Sequence, residues 1–197
     1  MKPGGLKFIC ISLIVFTVGA AADGRMKRSG AAIPPKIHAR IIQLEDERNL
    51  NGDELTGLLK HASAAVRERA ALAIGRIGDK RGTDALIAML EHEGNGPARA
   101  MAAFALGEME DVQGVSALMA VVEREKESLS ARARAVEALG KIAGVQANAV
   151  ALGKTAVERI NQTLIAQLPD SRTSPEQKPL TSLTIAALMR IRSPASV

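Results

Sequence analysis

The sequence predicts an all-α solenoid of antiparallel helix pairs stacked along one axis. Three observations lead there. First, three segments nearly repeat one another: residues 66–79 read VRERAALAIGRIGD, 98–111 read ARAMAAFALGEMED and 131–144 read ARARAVEALGKIAG, at spacings of 32 and then 33 residues. Self-similarity at such a period marks stacked supersecondary units and not a closed domain around one core. Second, a weaker copy, LTSLTIAALMRIRS at 180–193, follows 49 residues further on without the glycine, so the array continues past an inserted loop. Third, hydrophobic residues make up 47% of the chain while aromatics are 2%, with no Trp or Tyr, so alanine and leucine carry the core. Alanine has the best helix propensity, and its small side chain lets neighbouring helices come close.

Taken in order, the chain opens on a different problem. Lys2 and Lys7 precede an apolar run over 8–18, and the small residues Gly19, Ala20, Ala21 and Ala22 end it just before Asp23. That layout predicts a secretory signal peptide spanning 1–22, cleaved after Ala22 or else after Ala20, and the run is shorter than the ~20 apolar residues of a membrane-spanning helix. Cys10 is the only cysteine and lies inside that run, so the mature chain has no thiol and no disulfide framework. Loss of Lys2 and Lys7 lowers the net charge from +5 to +3, too weak a basic bias to name a partner. Residues 23–36, with Pro34, Pro35 and a small basic cluster, read as a flexible linker. Residues 37–50 place Ile37, Ile41, Ile42 and Leu44 in a charged background and read as an amphipathic helix capping the open end of the stack.

The solenoid then occupies 51–197, in units of about 51–79, 83–111, 114–144 and 147–193. Each unit pairs an A helix with a B helix. The A helices bury the triplets Leu55, Leu58 and Leu59, then Leu86, Met89 and Leu90, then Leu118, Val121 and Val122. Ser63, Asn95 and Ser128 stand at the entries of the B helices and are expected to be their N-caps.

The pattern V-R-x-x-A-A-x-A-x-G-x-I-G-D behind a leucine-rich helix resembles the short HEAT repeats of phycobilisome-lyase-like proteins, well over 51–142 and loosely elsewhere. That resemblance implies a HEAT-type α-solenoid, a right-handed superhelix of antiparallel helix pairs, whose members mostly bind other proteins, with B helices on the concave side. The segment LEDERNL at 44–50, behind a signal peptide and ahead of such repeats, is also similar to bacterial peptidyl-prolyl isomerases that join HEAT repeats to a cyclophilin domain. The alternative it implies is a recognition region whose cyclophilin domain lies outside these residues.

Chemistry-bearing patterns are scarce. His38, His61 and His92 are the only histidines, and only His92 is followed by a glutamate, so the His-Glu ligand pairs of the similar HEAT-repeat hydroxylases are incomplete. No metal, cofactor or catalytic residue is therefore expected, and no enzyme. Arg67, Arg99 and Arg132 recur at one position of three B helices and form a structural ladder, pairing with acids and carbonyls of neighbouring turns. No aromatic residue interleaves with them to stack on bases, so nucleic acid is not expected as a partner.

The sharper feature is the B-helix face that points away from the core. If Val66, Ala70, Ala73, Ile74 and Ile77 face inward, then Leu72 and Phe104 are apolar at positions where the pattern asks for polar residues. Phe104 is the one aromatic residue past the leader. Leu72, Met101 and Phe104, with Arg69, Arg76 and Arg134 beside them, are expected to form an exposed partner-binding patch, because monomers seldom leave such apolar area bare. The expected protein is thus an exported, periplasmic or secreted scaffold for a protein partner, with no membrane insertion once the leader is removed. Protein recovered from the cell envelope should give an N-terminal sequence starting near Asp23; an intact Met1 would contradict export by cleavage.

Overall fold

A computed structural model describes residues 32–168 and 178–192, so the leader expected at 1–22 and most of the linker at 23–36 lie outside the described residues. All regular structure among the described residues is helical. Helix α1 (Pro35–Asp46) opens on Pro35 and so starts within the segment assigned to the linker. A proline suits the first helical position, where its fixed φ matches the helix and its missing N–H would have no partner anyway.

Each later unit is a helix pair. In the first, α2 (Glu54–Gly57) runs into a 3₁₀ turn (Leu58–Lys60) and is followed by α3 (Ala64–Ile77). The second begins with a 3₁₀ turn (Lys80–Gly82) and continues as α4 (Thr83–His92) and α5 (Gly96–Met109). The third has the same order: a 3₁₀ turn (Val112–Gly114), α6 (Val115–Glu123) and α7 (Leu129–Gly144). The fourth consists of α8 (Gln146–Ile165) and α9 (Lys178–Arg192). The B helices pack in sequence, α3 on α5, α5 on α7 and α7 on α9, while α1 covers α3 at the open end. The core runs along the stack through the fully buried Leu44, Leu55, Ile74, Leu86, Leu90, Leu106, Leu118, Leu139, Ile142 and Ile160.

The turns between units follow from single residues. Helix α3 ends on Gly78 at φ 73°, and α5 ends on Glu110 at φ 50°. The next residue, Asp79 or Asp111, accepts a hydrogen bond from the amide two positions on, Arg81 N at 3.0 Å or Gln113 N at 3.2 Å, and so starts the 3₁₀ turn. Asp111 also accepts from the Thr83 hydroxyl at 2.8 Å, a buried bond between units. The third unit has no aspartate there, and α7 passes through extended Val145 straight into α8 without a 3₁₀ lead-in. Helix α8 is itself broken at Gly153, at φ 75° and ψ 161°.

Two of the three expected N-caps form: Asn95 Oδ1 accepts from Ala98 N at 3.1 Å and Ser128 Oγ from Ala131 N at 3.2 Å. Ser63 makes no such bond, and its Oγ is buried without a partner. The Val66 amide that it would cap bonds the Ser63 carbonyl instead, at 3.1 Å.

What brings the B helices so close is a small-residue notch at every junction. A Cβ built on Gly75 would lie 2.7 Å from Ala105 Cα, one on Gly107 2.8 Å from Ala138 Cα, and one on Gly140 2.6 Å from Ala187 Cα. Each contact is with backbone, so no side-chain rotation relieves it. Overpacking of this kind costs ~1–3 kcal/mol, against a helix-propensity gain of up to ~1 kcal/mol for alanine over glycine. Gly75→Ala should therefore lower stability in urea unfolding, by about 1 kcal/mol or more. Gly57→Ala, helical with open space around it, should raise stability by a few tenths of a kcal/mol or more. Equal shifts for the two variants would contradict the notch.

Candidate protein-interaction surface

The arginine ladder ties each inter-helix connection to the next. Arg67 Nε and Nη2 donate to the Glu93 carboxylate at 2.5 and 2.8 Å, while Nη1 donates to the His61 and Ala62 carbonyls at 2.7 and 3.0 Å. Arg99 repeats the arrangement one unit on: Nε and Nη2 reach Glu127 at 3.1 and 2.8 Å, and Nη1 reaches the Glu93 carbonyl. The acid comes from the following unit and the carbonyls from the arginine's own unit. Arg132 donates to the Arg124 and Glu125 carbonyls.

The two glutamates also hold the entries of their own B helices. Glu93 accepts from Asn95 N at 2.7 Å and Glu127 from Ser128 N at 2.8 Å. In the first unit His61 stands where Glu93 stands in the second, and its Nδ1 accepts from Ser63 N at 3.0 Å. The hydrogen bond from Arg67 holds the Glu93 carboxyl below the usual range, outweighing burial. At Glu127 burial works to raise the value, but the Arg99 hydrogen bond and the Ser128 amide together bring it down. Sequence reasoning missed both acids. The available signal was an acidic residue within two positions of the N-cap, at Glu93 before Asn95 and at Glu127 before Ser128.

On the outer B-helix face the apolar residues gather as a stripe, but Leu72, Met101 and Phe104 are half-buried and not open as the helical phase implied. At Phe104 the cause is the close helix spacing, which lets long side chains of α7 lie across α5. Arg134 Cζ sits 5.1 Å and Lys141 Nζ 5.2 Å from the centre of the Phe104 ring, both within cation–π range. Arg134 pairs with Glu137 at 2.8 Å, and Lys141 pairs with Glu108 at 2.5 Å and Glu137 at 3.2 Å. Burial works to lower the Lys141 pKa, yet these two carboxylates leave it raised. At the other end, Arg69 and Arg76 both meet Glu45 of α1, at 2.5 and 2.8 Å. Arg76 and Arg134 remain about half exposed, at 56% and 48%, while Arg69 is largely covered at 16%. The face is therefore an apolar stripe crossed by paired charges, with one ring held between two cations.

The remaining candidates lie elsewhere. A cavity of about 510 Å³ opens between α2 and α4, walled by Leu59, Ala85, Ala88 and Met89 beside the Arg67–Glu93 pair, away from the Phe104 stripe. His92 is exposed, and among the described residues no group of three or more His, Cys, Asp or Glu side chains is placed to hold a metal ion. No helix among the described residues is long and apolar enough to cross a membrane.

Stacked helix pairs, notched at each junction and cross-tied by arginines, make this an α-solenoid. Residues 83–153 match HEAT repeats, and residues 66–92 match the PBS lyase HEAT-like repeat. These matches identify HEAT-type repeats over residues 66–153. No curated protein matches it.

The pH response of the ladder follows from sign. The Glu93 carboxyl titrates lower folded than unfolded, so its contribution is complete above the ordinary carboxylate value near 4.5 and is lost as pH falls toward the folded value. Glu93→Gln keeps an acceptor for the Asn95 amide but removes this linkage. The variant should be less stable at pH 7, and its melting temperature should fall less steeply than the parent's below pH 4.5; parallel acid limbs would contradict the assignment.

Proposed function

We propose that this HEAT-repeat protein is an exported scaffold that binds a protein partner through its concave B-helix face and performs no catalysis of its own. HEAT repeats generally serve protein interaction, which supports the scaffold reading. The observation that carries the choice of face is Phe104. It is a large apolar ring in an otherwise alanine-rich array, at an outer helical position, flanked by Met101 and Leu72 and braced by Arg134 and Lys141.

A ring braced in this way is pre-organised, so little side-chain entropy is lost when a partner covers it. Arg76 and Arg134 are the rim cations open to an acidic neighbour on the partner, and Arg69 is held inward by Glu45. With a single aromatic anchor, the contact is modest in strength and depends on several units at once.

The test compares captured proteins across variants. Phe104→Ser should weaken recovery of a partner from envelope extracts by about tenfold or more, the loss of one buried hot-spot side chain. Val150→Ser, exposed on α8, should leave recovery unchanged. A partner retained by Phe104→Ser at full strength would place the interaction elsewhere.

A further inference from the structure

The third rung of the arginine ladder is incomplete. In the first two rungs the Nε–Nη2 edge of the guanidinium holds a glutamate and Nη1 holds connection carbonyls. Arg132 stands at the same repeat position, yet here it is Nη2 that donates to the Arg124 and Glu125 carbonyls, at 2.8 and 3.1 Å. Its Nε is buried with no hydrogen-bond partner. The guanidinium has turned so that the donor left over by the missing acid takes the carbonyls, and the donor beside it is stranded. A buried N–H left unpaired loses its hydration without replacement, so an acceptor reaching it would be favoured.

The surroundings suit an anion. The connection before α7 carries Arg124 and Lys126 with Glu125 and Glu127. Glu127 is fully buried at its side chain and already held by both Arg99 and Arg124, so it is not free to pair with Arg132 as Glu93 pairs with Arg67. The bonds that Nη2 makes to these carbonyls are exposed, so Nη2 is reachable, and a carboxylate gains the buried Nε only as the guanidinium turns back to the orientation of the first two rungs.

We propose that Arg132 is a docking point for a glutamate side chain of a protein partner. The carboxylate would take Nε and Nη2, and Nη1 would move to the Arg124 and Glu125 carbonyls, reproducing the first two rungs. A side-on, two-bond contact of this kind is specific for a carboxylate over its amide, because the amide nitrogen would oppose a donor. The site lies at the start of α7, on the connection edge of the stack. It does not rest on the Phe104 face, and the loss of either leaves the other standing.

The test follows the side-chain Nε–H resonances of Arg67, Arg99 and Arg132 in the full chain during titration with the capped tripeptide Ac-Ala-Glu-Ala-NH₂ or its glutamine counterpart. In the free protein the Arg132 signal should stand apart from the other two. The glutamate peptide should move it saturably toward them, at an affinity about tenfold or more above that of the glutamine peptide, while Arg67 and Arg99 stay fixed. Arg132→Lys, checked for folding by unchanged Arg67 and Arg99 signals, should lose detectable binding of the glutamate peptide. Three results overturn the proposal: no saturable shift, equal response to the two peptides, or an Arg132 signal that already coincides with Arg67 and Arg99 before peptide is added, which would mean that an acid of this chain fills the site.

Discussion

Everything in this molecule rests on how near one B helix lies to the next. Gly75, Gly107 and Gly140 each meet the backbone of an alanine in the following unit at a distance that leaves no room for a Cβ. At that spacing the apolar side chains of both helices interlock and the core is continuous from Leu44 to Ile160. The same spacing brings Arg134 and Lys141 of α7 over the Phe104 ring of α5, so the character of the outer face is a consequence of the notch. A wider stack would leave the ring bare.

The arginine ladder works at the opposite edge of the same junctions. The guanidiniums of Arg67 and Arg99 each span two units: carbonyls behind, a buried glutamate ahead. Such a buried pair is weak as a net source of stability, but removal of one partner is costly because the other is left uncompensated. Its effect is to fix where one inter-helix connection sits relative to the next. The notch sets the distance between units, and the ladder sets their register along the edge.

How much of this the sequence displayed depends on whether a feature repeats. The glycines and the arginines recur at 32 and 33 residues, so their equivalence is visible in three aligned segments. Glu93 and Glu127 do not align, because one stands two residues before its cap and the other one residue before, and His61 fills the matching place in the first unit. The ladder's donors were therefore legible and its acceptors were not. Helical phase likewise put Leu72, Met101 and Phe104 on the outer face, but phase describes one helix alone. The cations that cover Phe104 come from α7, and only the interhelical distance determines that cover. The absent aspartate in the third unit was visible too, while its result, an α7 that runs into α8 without a 3₁₀ turn, depends on how the fourth unit packs.

The notches couple the units, so a change on one helix must be felt on its neighbour. Amide hydrogen exchange of Gly107→Val measures this directly, since the branched side chain points at the Ala138 backbone of an unaltered helix. If the notch couples the units, protection should fall throughout α7 as well as around residue 107, with α1 to α3 least affected. A loss of protection confined to the turn around residue 107, with α7 exchanging as in the parent protein, would contradict it.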